Sequence, residues 1–223
     1  MPDHQTHQHQ THQHTRPSQP EAIDPAVFWE EFYAPGRRPW SGRPNALLVA
    51  ELAVRPLVPG TVLDLGSGSG GDAVWFARLG WTVTAVDISA AALAVGAEAA
   101  RDEGVTDRIT WQHRDLEAEF PTGHWDLVVA SYLQSPVALD RDRVLRAATG
   151  TVRPGGTLLV LGHERFPASH QGALTELPTT TDVLASLDLT DWTVERAEAV
   201  AMPSTDDGHG EHFDHVIRLR RDR

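Results

Sequence analysis

The stretch VLDLGSGSGG, residues 62–71, constrains the fold more than any other part of this 223-residue chain. A short apolar run, Thr61 to Leu65, leads into a loop where Gly66, Gly68 and Gly70 or Gly71 recur. A helix-forming segment, Asp72 to Leu79, follows and is closed by Gly80. Glycine takes positive φ without steric penalty and lets a ligand come close to the backbone. A buried strand, a glycine turn and an amphipathic helix in that order form the opening half of a βαβ unit. The next apolar run, Trp81 to Val86, ends at Asp87, about 20 residues past the first glycine, where a carboxylate can accept both hydroxyls of a ribose. Loop, context and acid together point to an adenosine-containing ligand.

The alternation continues along the chain. Helical segments are expected at Asp24 to Tyr33, Pro44 to Val54, Ala90 to Glu103, Arg141 to Thr149 and Thr181 to Leu187. Further strands are expected at Arg108 to Gln112, Leu127 to Ala130, Thr157 to Leu161, Trp192 to Val200 and Phe213 to Leu219. This predicts an α/β protein: a Rossmann-like, doubly wound, seven-stranded sheet, mostly parallel with an antiparallel last strand. Residues 1–20 are almost only His, Gln, Thr and Pro and cannot build a core, so a disordered His/Gln-rich tail is expected there. Residues 21–223 then form a single domain, with 21–56 as an N-terminal helical cap.

Composition removes several chemistries. All 19 basic residues are Arg, and Cys is absent. Schiff-base catalysis, a P-loop lysine, thiol nucleophiles and Cys-ligated metals are therefore excluded. A net charge of −12 argues against a phosphate-backbone binder. No apolar run approaches the roughly 20 residues that span a bilayer, and the polar start lacks a signal peptide's apolar stretch. A cytoplasmic protein with a small-molecule partner, and with neither nucleic acid nor membrane as partner, is the expectation.

Charge also sorts the adenosine cofactors. Asp64 lies two residues before the first glycine and Asp72 opens the following helix. Both would repel a pyrophosphate at that helix N-terminus. S-adenosylmethionine has no phosphate there, but a sulfonium and an ammonium that Asp64 would attract. For Asp72 a helix-dipole role is favoured over ligand contact.

The segments VLDLGSGSGG, VTAVDIS, Arg114-Asp115-Leu116, WDLVVASYL and RPGGTLLVLGH resemble the class I S-adenosylmethionine-dependent methyltransferases, in order and spacing from about Phe28 onward. The leading FWEEFY…PWSGRPN is similar to small-molecule members of the tellurite-resistance and thiopurine methyltransferase type, whose N-terminal aromatic segment folds over the cofactor. The resemblance implies that Gly66, Ser67 and Gly68 pass under the methionine portion, with Asp64 beside it. Asp87 would hold the ribose, Ile88 would pack on the adenine, and Asp115 would accept from its amino group while Leu116 lines the same pocket. Ser131 would face the sulfonium and Trp40 would cover the methionine end; a core role for Trp40 is equally open.

Methyl transfer needs alignment and dryness before it needs acid or base, so no catalytic residue is assigned. Tyr132, Gln134, His163 and His170 follow strands four and five, where an acceptor would lie. His163 could act as a base near neutral pH, although a lone histidine at a strand end is more often a hydrogen-bonded structural residue. The segment MPSTDDGHGEH, residues 202–212, reads as a hairpin tip opening on the ligand face, not as a metal site. The alternatives are an NAD-dependent oxidoreductase, which lacks a Tyr–Lys pair here, and a non-catalytic adenosine-ligand or metal-binding protein using the His-rich tail. Oligomeric state is not legible.

Overall fold

Strand β1 (Thr61–Leu65) carries Val62, Leu63 and Leu65 with no exposed surface at all. Such a strand shows no in–out alternation and needs cover on both faces. The computed structural model describes residues 23–34, 36, 42–165, 177–202 and 212–222. Helices α1 (Pro25–Phe32) and α2 (Ala46–Val54) precede β1. After it come α3 (Gly71–Arg78), β2 (Thr82–Asp87), α4 (Ala90–Asp102), β3 (Ile109–His113), β4 (Trp125–Ser131) and α5 (Arg141–Thr151). The chain closes with β5 (Val152–Arg165), α6 (Thr180–Ala185), β6 (Trp192–Met202) and β7 (His212–Arg221).

The seven strands form one sheet in the order β3-β2-β1-β4-β5-β7-β6. Strands β1 to β5 pair in parallel, and β7 runs antiparallel to both β5 and β6. The expected sheet is therefore present. Winding proceeds outward from β1 to β3, then resumes at β4 on the other side of β1. That reversal opens a crevice beyond the carboxyl ends of β1 and β4.

Two apolar layers flank the sheet. On one face Val62, Val129, Leu159, Leu161 and Val216 pack with Leu48 of α2 and Phe76 of α3. On the other, Leu63, Leu65, Val128, Leu158 and Ile217 pack with Leu145 of α5 and Val183 of α6. Among the described residues, no helix is long and apolar enough to cross a membrane.

Element ends differ from expectation for local reasons. Helix α2 starts at Ala46, not Pro44, because the Asn45 side chain caps it by accepting from the N–H groups of Leu47 and Leu48. Helix α6 ends at Ala185 and starts in a capping box between Thr179 and Asp182. Strand β5 starts five residues early, since Val152 pairs with Trp125 before the Pro154-Gly155-Gly156 irregularity. At the far edge, fully buried Glu51 of α2 meets Arg196 of β6 and Arg218 of β7, tying the cap to the sheet.

His215 of β7 is fully buried opposite Gly162, whose missing side chain makes room for the imidazole. Burial, with the nearby Arg141 charge, pushes its pKa down to about 4. The unfolded chain would protonate near 6.5. Because the folded pKa is the lower one, this contribution is complete above pH 6.5 and is lost as pH falls toward 4. Denaturant titrations across that window should show a loss on the order of 3 kcal/mol in the wild type that His215→Leu lacks. Parallel pH curves for the two proteins would refute this.

Candidate functional site

Three carboxylates meet where β1 and β2 end. Asp64 is 1 % exposed, and its Oδ2 finds no hydrogen-bond partner. Burial, reinforced by the charges of Asp72 and Asp87, raises its pKa well above the usual carboxylate range. Asp72, in the first turn of α3, is also raised by burial, although the Asn45 N–H at 2.6 Å and nearby Ser131 favour its charge. Asp87 accepts from Gly68 N–H at 2.8 Å and Ser89 N–H at 2.9 Å, yet burial still leaves its pKa raised. Concentrating negative charge this way costs folding energy, and a cation placed among these groups would relieve it.

The glycine loop is shaped by the protein as much as by any ligand. Gly66, Gly68 and Gly70 have φ of 68°, 52° and 76°, the left-handed region. A Cβ on Gly68 would stand 2.7 Å from the Tyr33 hydroxyl, and one on Gly71 would stand 2.5 Å from the Arg43 carbonyl oxygen. The loop thus seats the N-terminal cap directly on its backbone.

Helix α1 is fastened over this floor by Glu30. Its carboxylate accepts from Ser89 Oγ at 2.8 Å and Ala91 N–H at 3.1 Å, at the amino end of α4. Those bonds hold Glu30 below the usual carboxylate range, the Ala91 N–H contributing most. Phe28, Trp29, Phe32 and Tyr33 then face into a cavity of about 1010 Å³. That is at the top of the roughly 300–1,000 Å³ range of ligand pockets.

The opposite wall comes from β4, β5 and β7. Register places His163 across from Asp214, and His163 Nδ1 lies 2.9 Å from Asp214 Oδ1. The Tyr132 hydroxyl donates to the other Asp214 oxygen. Burial opposes charge on Asp214, but the bonds from His163 and Tyr132 outweigh it and hold the carboxyl below its usual range. Burial and the Asp214 charge raise the Tyr132 pKa, so its phenol remains a donor. Gln134 grips the backbone of His163 at both its N–H and its carbonyl, each at 2.8 Å. Tyr132 is the one non-glycine residue with positive φ among the described residues, at 53°.

Of the residues expected to hold a cofactor, Asp64, Gly66, Ser67, Asp87, Ile88, Asp115, Leu116 and Ser131 all line this cavity. Gly68 lies under the Tyr33 hydroxyl and reaches the site through its N–H to Asp87. Asp115 is exposed, with one carboxylate oxygen bonded to Glu117 N–H. Trp40, His170, His209 and the tail lie outside the described residues. Asp72, expected at the helix dipole, also lines the cavity. Glu30, Tyr33 and Asn45 lie in the FWEEFY…PWSGRPN segment expected over the cofactor, but their individual contacts with the site, and Asp214 itself, are additions, because those contacts span long sequence separations. Among the described residues, no group of three or more His, Asp and Glu is arranged to hold a metal.

The site suits S-adenosylmethionine on its own chemistry. The unpartnered Asp64 Oδ2 and the buried Ser67 and Ser131 hydroxyls, which make no hydrogen bond of ordinary geometry, are polar atoms awaiting partners. The acidic floor favours a cation over a pyrophosphate.

Comparison with known proteins agrees. Residues 62–156 match a family described as a methyltransferase domain. The chain is 36% identical over 104 residues to the ubiquinone/menaquinone biosynthesis C-methyltransferase UbiE of Pectobacterium carotovorum, covering 45% of this chain and 41% of that protein. It is 33% identical over 114 residues to the ribosomal RNA small subunit methyltransferase C of Alcanivorax borkumensis, covering 49% and 34%. The chain thus spans less than half the length of these curated relatives. A solved structure concerned with converting a disulfide bond into a thioacetal group in echinomycin biosynthesis superposes with TM-score 0.65 at 27% identity, covering 88% of this chain and 91% of that one. TehB from Haemophilus influenzae superposes with TM-score 0.63 at 18% identity, covering 80% and 62%, and shows the shared fold.

Asp87 supplies the test of the floor. Replacing it by Ala should weaken S-adenosylhomocysteine binding by about 2 kcal/mol, through loss of charge-assisted hydrogen bonds. Calorimetry that finds unchanged affinity in a folded variant would remove Asp87 from the ligand contacts.

Proposed function

We propose that this class I S-adenosylmethionine-dependent methyltransferase domain carries the cofactor's methyl group to a small-molecule acceptor bound in the same cavity. The observation that carries the reading is the acidic, partner-seeking floor at the switch point. Asp64 and Ser67 would hold the methionine end, with the loop from Gly66 to Gly68 beneath it. The oxygens of Asp87 would take the ribose hydroxyls. Ile88 and Leu116 would enclose the adenine, whose amino group Asp115 would accept from. Ser131 would stand beside the sulfonium. Trp40 would close over the methionine end.

The cofactor supplies a methyl carbon already activated by its positive sulfur. What remains for the chain is to align the acceptor in line with that carbon and to keep water out. Helix α1 would help to keep water out, because its aromatic side chains give the cavity an apolar wall that Glu30 holds against α4. The wall of Tyr132, Gln134 and His163 faces the acceptor's side. Neither the NAD-dependent oxidoreductase reading nor the metal-binding one gains support from the acidic floor or from the relatives.

A small acceptor is favoured over nucleic acid because the site is a cavity walled by the aromatic side chains of α1 and the chain carries a net charge of −12. The test is release of S-adenosylhomocysteine from S-adenosylmethionine, with either a fractionated small-molecule extract or ribosomal RNA as acceptor. Turnover with the extract, and a methylated product of low mass, is expected. Turnover with RNA alone would overturn the acceptor class.

A further inference from the structure

We propose that His163, oriented by Asp214, is a general base that takes the proton from an O–H or N–H methyl acceptor. The inference rests on the methyltransferase reading above and names the class of acceptor that this site serves.

Strand register builds the pair. On β5, residues 159, 161 and 163 share a sheet face, and on β7 residues 214 and 216 share the same one, since Leu161 pairs with Val216 and His163 with Asp214. Leu159, Leu161 and Val216 are core residues of that face. One step further toward the carboxyl end of β5 the apolar stripe gives way to an imidazole and a carboxylate, where the sheet meets the cavity. A purely structural polar pair at this place would need no opening, but both residues line the cavity together with Asp64 and Ser131.

Protonation states follow from geometry. Asp214 is buried and ionised, held so by two donors. A carboxylate accepts only, so the neutral imidazole must carry its proton on Nδ1. Nε2 is then the basic nitrogen, and the Asp214 charge stabilises the imidazolium that forms there. Tyr132 donates to the second Asp214 oxygen, with its ring centroid 4.6 Å from that of His163. Gln134 locks the backbone that carries the imidazole. The other titratable groups nearby are His212 at the head of β7, which lines the cavity, and Asp72, whose charge reaches Tyr132. His215, Glu164 and Arg141 flank the pair from the neighbouring positions of β5, β7 and α5.

The step balances without another reactant. A lone pair of the acceptor oxygen or nitrogen forms the new bond to the methyl carbon while the carbon–sulfur bond breaks, its electron pair returning to sulfur. S-adenosylhomocysteine leaves, and the acceptor's proton passes to His163 Nε2 and then to solvent. A thiolate acceptor, already deprotonated near neutral pH, would gain nothing from this arrangement.

The test has a readout independent of turnover. In nitrogen-15 spectra of the full chain, the imidazole signal missing from His163→Gln should report the Nδ1–H tautomer in the wild type. In Asp214→Ala it should shift toward Nε2–H. With S-adenosylmethionine and 4-methylphenol, benzylamine or thiophenol as acceptor, His163→Gln should lower kcat on the order of 100-fold for the phenol or amine. Thiophenol turnover should stay within a few-fold of the wild type, and calorimetric affinity for S-adenosylhomocysteine should be unchanged. A wild-type Nε2–H tautomer, equal losses with all acceptors, or turnover of the thiol alone would overturn the proposal. A chain that binds neither S-adenosylmethionine nor S-adenosylhomocysteine fails the parent reading instead, and the tautomer still decides whether Asp214 orients His163.

Discussion

The arrangement of this molecule depends on three buried carboxylates at one end of its sheet. Asp64, Asp72 and Asp87 sit where β1 and β2 end and α3 begins, and burial raises the pKa of each. Water would solvate these charges if the site were open. Here the cap and the glycine loop exclude much of it, so the protein carries an electrostatic cost that a cationic ligand removes. Backbone N–H groups from Gly68, Ser89 and Asn45 offset part of the cost and fix the carboxylates in place. The same bonds make the loop, the strand ends and the cap one interlocked unit.

The cap turns an open crevice into a chamber. Glu30 pins α1 to the amino end of α4, Tyr33 rests on Gly68, and the backbone of Arg43 rests on Gly71. The last two contacts need Gly68 and Gly71 to lack side chains. Opposite the cap, β7 brings Asp214 beside His163, a pairing available only because this strand runs antiparallel and returns to the site. An all-parallel edge would have placed a strand's carboxyl end there, whereas β7 brings its amino end, with His212 and Asp214. One wall of the chamber therefore recognises charge, and the other handles a proton.

Much of this is legible in the sequence, for identifiable reasons. The strand–glycine–helix run and the acid at the end of β2 are local patterns, and the structure places Gly66, Asp64 and Asp87 around one cavity as that pattern implies. The parallel sheet follows from the alternation of short apolar runs with helices, and the antiparallel last strand from the break in that alternation, where two strand segments follow each other without a helix between them. Asn45 as the true cap of α2 is hidden by Pro44, which also suits a first helical turn. The early start of β5 is hidden because Pro154, Gly155 and Gly156 resemble a terminator, whereas they form an irregularity between two paired stretches. FWEEFY marks the cap as a whole, but the partners of Glu30 and Asp214 carry no local signature, since Glu30 meets Ser89 and Asp214 meets Tyr132 only after long-range packing. His163 is visible in the chain but its partner is not, which is why its role cannot be read from the residues alone.

Calorimetric titration of the full chain with S-adenosylmethionine and with NAD, each in two buffers of different ionisation enthalpy, tests the central claim most directly. Asp64 has a raised pKa in the free protein, and a cation favours its charged form. S-adenosylmethionine is expected to bind with a net release of protons that grows as pH is lowered, and NAD is not expected to bind. Binding of NAD alone, or S-adenosylmethionine binding with no proton release as pH is lowered, would contradict the claim.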